Sequence, residues 1–552
     1  MSVVGKRALE GRAEFFESNH RNHKETNHRR HLVRPGCCLR FRRQAATAHH
    51  IPSSLQNRKL DSVRSDLSPT RRVAVVGGGV TGLSAALRLT ESWSAGCVEV
   101  LEASTRLGGV IQTERRDGFT LELGPDSLLR RMPWGVGLCK RLGIDDQLVG
   151  TQPVASGTFT VHRGRTTRMP EGLAIMAPDR VWPMVATPIL SWRGKLRLAA
   201  ERALPRRTSA SDESLAQFAR RRLGCEAFER IVQPLAGGIF MGDPERLSLQ
   251  ACFPQFAAME AEHGSLIKAT RAAKKKRSPP SHGGPSPSVF VAPAEGLGRI
   301  IDALGSALGG EAVRLGQQVK QLEPASSGWR LTVEDTVTGR CTTEEFNAVI
   351  IATPANVAAR LLQPVDARLG GLLAGVGYSS CAIVHLAYPL DRVRHPLDAA
   401  GLVVPHVEGR PMQACSFYSV KYAGRAPDGV VVLRAFFGGA LHPELTALDD
   451  DCLTELAQSE VATLLGAEGQ PLLASVTRWP KSMPQYQVGH LQLVDKVERC
   501  VERHAGLELA GAAYRGVGIP HCIHSGEQAA ERILAAIDQT SGKVEQAPAG
   551  KA

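Results

Sequence analysis

The sequence predicts an α/β protein with a nucleotide-binding domain assembled from both chain ends, an antiparallel-sheet domain and a helical subdomain. Three observations predict this. "VAVVGGGVTGLSAALRL" (73–89) joins an apolar run to a glycine turn and a helix pattern. "LELAGAAYRG" (507–516) repeats strand and glycine turn at the far end, before another helix pattern. Between them, "CAIVHLAYPL", "GLVVPHV" and "GVVVLRAFFGG" run or alternate apolar, as sheet strands do.

Val73–Val76 is mostly β-branched and suits a buried strand. From Val80, Leu83, Ala86, Leu87 and Thr90 recur at helical spacing, with Thr81 in the first turn. Gly77, Gly79 and Gly82 spell G-x-G-x-x-G, with Gly78 inside it. In a Rossmann-like unit the first glycine permits the turn. The second lets backbone approach a pyrophosphate, and the third lets helix and strand pack closely. The helix N-terminus then offers free N–H groups and partial positive charge to phosphates. A second strand, Val98–Leu101, ends in Glu102, twenty residues after Gly82. A carboxylate there can accept from both hydroxyls of a ribose. "ASTRLGG" (103–109) follows, bringing Arg106 and the bare backbone of Gly108-Gly109 near the same phosphates.

Residues 171–231 read mostly helical, with apolar faces opposite basic ones in "SWRGKLRLAAERAL" and "SLAQFARRRLGCEAFERIV". Such helices pack on a core or lie on a membrane surface. "KATRAAKKKRSPPSHGGPSPS" (268–288) reads as an exposed basic loop. Beyond it come a helix pattern in "SVFVAPAEGLGRIIDALGSAL", a strand in "VRLGQQVKQLEP" and a buried strand in "FNAVIIATP" (346–354).

Composition narrows the function classes. The formal charge is +13, but residues 1–72 carry 16 basic and 6 acidic residues, leaving +3 for the remainder. The body is nearly balanced, so nucleic-acid binding is not expected. Of the 12 cysteines only Cys37-Cys38 are close and no C-x-x-C occurs, which predicts a reducing compartment and no structural metal. No apolar run reaches 18 residues, so no membrane-spanning helix is expected. The first 70 residues are rich in Arg and His and read as a disordered basic extension, with a targeting segment as the alternative. His20, His23, His28 and His31 there have nothing to orient them toward a metal.

A nucleotide domain built from both ends suits the long, extended FAD, with adenine on the near segment and flavin at the far one. "GGGVTGLSAALRL", "LEASTRLGG", "GFTLELGPDSLL", "GGIFMGDPERLSLQACFPQF", "RWPKSMPQYQVGH" and "LAGAAYRGVGIP" together resemble protoporphyrinogen oxidases. The likeness is to the bacterial, oxygen-dependent branch of the amine-oxidase-like flavoproteins, and runs from about Arg72 to about Ile537. It implies pyrophosphate contact by Gly77, Gly78, Gly79, Val80, Thr81 and Gly82, and adenosine contact by Leu101 and Glu102. It places Gly109 at the phosphates and Gly124, Pro125, Asp126 and Ser127 beside the ribityl chain and flavin. Val319 would bracket the adenine, while Trp479, Val517, Gly518 and Ile519 would meet the isoalloxazine.

The implied organisation is interleaved. Residues 71–150, 290–365 and 475–537 form the FAD-binding domain, and 151–170, 226–289 and 366–474 the substrate domain. Residues 171–225 form a membrane-associated helical subdomain, and 538–552 a flexible tail. The implied reaction is oxidation of protoporphyrinogen IX to protoporphyrin IX, six electrons in three steps, with oxygen as acceptor. No second G-x-G-x-x-G follows a strand, which favours a flavin reduced by substrate over one reduced by NADPH. The alternatives are coproporphyrinogen III oxidation and, on the same fold, an amine oxidase or carotene desaturase. No general base is assigned. The family's pocket pattern is altered here: Ala399-Ala400 precede "GLVVP", His521 follows "GIP", and Arg163 and Arg165 have no assigned role in holding propionates. A cytoplasmic location with peripheral membrane contact is expected, and a homodimer is allowed.

Overall fold

The computed structural model describes residues 71–545 apart from 95, 179–180, 210 and 277–287. The basic extension expected at 1–70 lies outside the described residues. A five-stranded parallel sheet forms the nucleotide domain. Its order is Val313–Leu315, Cys97–Glu102, Arg72–Val76, Ala348–Ile351 and Leu507–Leu509. Strands from three distant parts of the chain thus share one sheet. The runs "VAVV" and "AVII" are apolar at every position because both faces are covered. Val73 and Val75 face the helices Val80–Ser92 and Ile519–Glu545. Ala74 and Val76 face the opposite core, built on the antiparallel meander Gln317–Ala325, Gly328–Asp335 and Cys341–Phe346.

The second body is a seven-stranded sheet in the order Leu473–Gln485, Gly377–Pro389, Val430–Gly438, Ala414–Phe417, Gly401–Val403, Phe159–His162 and Arg165–Arg168. All pairs are antiparallel except Gly401–Val403 with Phe159–His162. Alternate residues of the two longest central strands, including Ala382, Val384, Leu386, Leu433 and Phe437, pack under helix Asp450–Leu465. Their neighbours point the other way, toward the nucleotide domain.

Four boundaries differ from the sequence expectation. Strand Leu473–Gln485 pairs with Gly377–Pro389 nearly end to end, so the return to the nucleotide domain comes after Gln485, not at 475. Helices continue from Trp192 to Lys276, through the residues expected in the substrate domain. Residues 268–276 of the expected basic loop belong to helix Leu266–Lys276, because Leu266, Ile267 and Ala269 are buried while Lys268, Lys274 and Lys275 stay in water. The closing helix runs to Glu545, eight residues into the expected tail.

The helical layer is organised on a buried ion pair. Arg222 and Glu201 are both fully buried and directly paired. Glu201 also accepts from Ser265 Oγ (2.5 Å) and Leu266 N (2.9 Å), while Arg222 donates to the carbonyls of Pro205 (3.1 Å) and Gly264 (2.8 Å). Removing Glu201 leaves Arg222 buried with only the more distant Glu260 carboxylate, at 3.5 Å, to balance it. Glu201→Ala is expected to lower the unfolding free energy by about 3–5 kcal/mol in denaturant titration. Asp450→Ala, which breaks an exposed pair with Arg478, is expected to cost about 1 kcal/mol or less.

Candidate functional site

The glycine turn leaves the first strand and enters helix Val80–Ser92. Gly77 has φ +110° and donates its N–H to Leu101 O at 2.9 Å. A side chain at Gly82 would collide with the Gly77 carbonyl. Val80 and Thr81 are buried in the first helical turn. At Gly79 a Cβ would meet nothing within 4 Å, so the backbone there borders open space. Gly109 faces it, 3.5 Å from Gly79 Cα to the place of its own missing Cβ, and Gly108 N donates to Gly78 O at 2.9 Å. These bare edges form a slot at a helix N-terminus, suited to a pyrophosphate.

Glu102 ends its strand beside the slot. Its Oε2 accepts from Gly78 N at 2.6 Å, and Oε1 from Ser104 N and Oγ at 2.8 and 2.7 Å. The carboxylate is thereby fixed next to Leu101 with lone-pair capacity remaining on Oε2 for a ribose hydroxyl. Arg106 spends its donors on the carbonyls of Leu107 (3.1 Å) and Gly109 (2.6 Å), so it shapes the loop. Val319 sits at a β-bulge on the meander with its side chain in the core that holds Leu101.

The strip Glu122–Ser127 is held from the other body. His385 Nε2 contacts Glu122 O at 3.0 Å, and Trp479 Nε1 donates to Leu123 O at 2.6 Å. Arg434 donates Nη2 to Gly124 O and Nη1 to Asp126 Oδ2 at 3.0 Å. Lys421 Nζ donates to Asp126 Oδ1 and Ser127 Oγ, both at 2.8 Å, and Tyr422 OH contacts Ser127 Oγ at 2.8 Å. A side chain at Gly124 would collide with Val110 O and approach Trp479 Cζ2 to 3.8 Å. Pro125 lies within the strip, half-buried. Lys421 and Arg434 outweigh burial and hold the Asp126 carboxyl well below the usual range, so it is a poor proton acceptor.

The far end of the chain brings Val517, Gly518 and Ile519 to the start of the closing helix. Gly516 N just before them donates to Tyr486 OH at 2.8 Å, and Tyr486 OH donates to Ala512 O at 2.6 Å. Val517 packs against the helical layer. His521 lies 5.5 Å from the Trp134 ring, which stacks on His524 at 4.1 Å.

The face of the seven-stranded sheet toward this strip is incompletely covered. Ala414, Ser416 and Phe436 sit in its middle strands yet are half-exposed. On the same side Met241, Cys381 and Ile383 form a small buried apolar cluster, with Phe436 and Trp479 packed on it. Helix Gln233–Phe240 lies close to the sheet, where a Cβ at Gly238 would lie 3.7 Å from Val403 Cγ1. The structure brings the expected Trp479 onto the expected strip and Gly109 against Gly79, and adds to them His385, Lys421, Tyr422, Arg434 and Met241, which the sequence did not single out. The available signal was a single polar residue at an inward position of an otherwise apolar strand, as at His385 and Arg434.

This slot and strip, carried on an α/β nucleotide domain, are those of a flavin-dependent oxidoreductase. The family model for flavin containing amine oxidoreductases matches residues 80–534, and the chain belongs to that family. FAD is its cofactor; the slot's open backbone and the fixed Glu102 carboxylate fit a dinucleotide. Within the family, the chain falls with the porphyrinogen oxidases. It is 32% identical over 470 residues to the coproporphyrinogen III oxidase of Bacillus subtilis (strain 168), covering 84% of this chain and 98% of the relative. It is 30% identical over 491 residues to protoporphyrinogen oxidase of Homo sapiens, covering 84% and 98%. A crystal structure of an Exiguobacterium sp. 255-15 protein named for protoporphyrinogen oxidation superposes with TM-score 0.75 at 28% identity, covering 85% and 99%. Among the described residues no group of three or more His, Cys, Asp or Glu could hold a metal, and no helix is long and apolar enough to cross a membrane.

His385 makes the site pH-sensitive. Burial first, then the Arg434 charge, lowers its pKa from 6.5 to about 3. The unfolded chain therefore binds a proton that the native chain refuses between those values. Its contribution is complete above about pH 6.5 and is lost progressively as pH falls toward 3. His385→Gln is expected to flatten the loss of stability between pH 6.5 and 4, read from urea midpoints across that range.

Proposed function

We propose that this chain oxidises a porphyrinogen to a porphyrin, removing six electrons in three two-electron steps, with oxygen as final acceptor. Bound FAD supplies the two-electron acceptor. The observation that carries the reading is the partly buried sheet face of Ala414, Ser416 and Phe436, on the side from which Arg434 bonds to the Gly124–Ser127 strip. Phe436 and Trp479 gather with Met241 into one apolar cluster against which a macrocycle is oriented in this reading, and orientation is a source of rate. Asp126, held ionised, and His385, held neutral with Nε2 on a carbonyl, are not suited to strong general-base work. Aromatisation supplies driving force, so proton release needs no strong base.

The bacterial relative is a coproporphyrinogen III oxidase and the human one a protoporphyrinogen oxidase. The slightly higher identity to the former supports coproporphyrinogen III as first substrate, with protoporphyrinogen IX second. Anaerobic mixing with each porphyrinogen is expected to bleach the flavin absorbance, and air to restore it with hydrogen peroxide and porphyrin fluorescence. Unchanged flavin absorbance with both would refute the reading.

The helical layer supports peripheral contact with an anionic bilayer. Trp182, Trp192 and Leu196 are 77%, 69% and 70% exposed. Arg193 and Lys195 flank the last two, and Lys195 Nζ lies 4.7 Å from the Trp192 ring centre. Exposed tryptophans beside cations suit the headgroup region. Co-sedimentation with phosphatidylglycerol vesicles is expected, reduced about tenfold or more by the Trp182→Ala, Trp192→Ala double variant. Equal sedimentation of the two would refute the contact.

A further inference from the structure

Asp126 is neutralised twice over. Arg434, 1% exposed, already satisfies one carboxylate oxygen and cannot turn elsewhere, being packed between the Tyr418 and Phe436 rings at 5.5 and 5.2 Å. Lys421 adds a second cation on the other oxygen. The remaining carboxylate of the strip, Glu122, accepts from Leu297 N (2.6 Å) and Thr113 Oγ1 (2.8 Å) and faces a separate buried cation, Arg425. The cluster therefore holds more positive charge than its own carboxylates balance.

Lys421 is the accessible member. Its side chain is 12% exposed. An ammonium has three donors, and two are used, on Asp126 and Ser127. Ser127 Oγ is saturated by Lys421, Tyr422 and Asp126, so it cannot take the third. Phe290, 42% exposed, has its ring 5.2 Å from Lys421 Nζ. A surplus cation beside an exposed ring suits an anionic arm on an otherwise apolar molecule.

The geometry points to Lys421 as a specificity-determining residue that takes one carboxylate arm of the substrate, an assignment that rests on the porphyrinogen reading. Asp126 stays neutralised by Arg434 when Lys421 is lost, so the strip keeps its place.

The test compares wild type, Lys421→Met and Lys421→Arg on a porphyrinogen and on its propionate methyl ester. For Lys421→Met, KM for the free acid is expected to rise about tenfold while kcat changes less than about twofold and the ester is unaffected. Lys421→Arg is expected to restore preference for the acid. All variants are assayed at saturating FAD and the constants expressed per bound flavin, so that any loss of flavin through the Asp126 and Ser127 bonds is separated from the acid-against-ester comparison. Binding of the porphyrin product and its methyl ester, read by quenching of flavin fluorescence, gives the same comparison without turnover. Equal changes for acid and ester, or none for either, would overturn the assignment. Wild-type protein that oxidises neither porphyrinogen would instead sink the porphyrinogen reading, and product binding would still decide whether Lys421 distinguishes acid from ester.

Discussion

The structure depends on a line of hydrogen bonds between the strip Glu122–Ser127 and the inner face of the seven-stranded sheet. Carbonyls of three successive residues, Glu122, Leu123 and Gly124, each meet a side chain from a different strand: His385, Trp479 and Arg434. Asp126 and Ser127 then meet Arg434, Lys421 and Tyr422. The strip continues from strand Phe119–Glu122 near the parallel-sheet body, and its partners stand on or beside the seven-stranded sheet. Whatever the slot at Gly79 and Gly109 holds is thereby kept in register with the sheet face that carries Phe436 and the Met241 cluster.

Such a line is costly to assemble. It takes Arg434 and His385 to 1% and 0% exposure and leaves Arg434 Nε and His385 Nδ1 without partners in the protein. Burying a polar group is unfavourable unless it is bonded, and removing one partner costs more than the bond is worth. These residues therefore trade stability for geometry. The nucleotide sheet, apolar at nearly every position, and the Arg222–Glu201 pair in the helical layer supply the rigid bodies between which the line is drawn.

Much of the nucleotide domain was legible in the sequence because its signals are local. An apolar run, a glycine turn and Glu102 lie within thirty-one residues, Arg72 to Glu102, and the structure places them in adjacent parallel strands. The far strand Leu507–Leu509 was legible for the same reason. The line holding the strip was not, because its partners lie 263 residues away at His385 and 308 at Arg434, and nothing local states which carbonyl each will meet. Strand Leu473–Gln485 was divided between domains because Trp479 resembles a cofactor contact, whereas pairing with Gly377–Pro389 assigns the whole strand to the sheet. Residues 268–276 read as the start of a loop because their lysine run masks a helix anchored by the buried Leu266, Ile267 and Ala269.

If the line of hydrogen bonds governs the cofactor site, cutting it far from the glycine slot must weaken cofactor binding. The decisive measurement is the FAD dissociation constant of the Arg434→Met apoprotein, titrated by flavin fluorescence. The account predicts weakening by tenfold or more, about 1.4 kcal/mol at least, although Arg434 bonds only to the strip and not to the slot. A dissociation constant equal to that of wild type, in a protein that still folds, would contradict it.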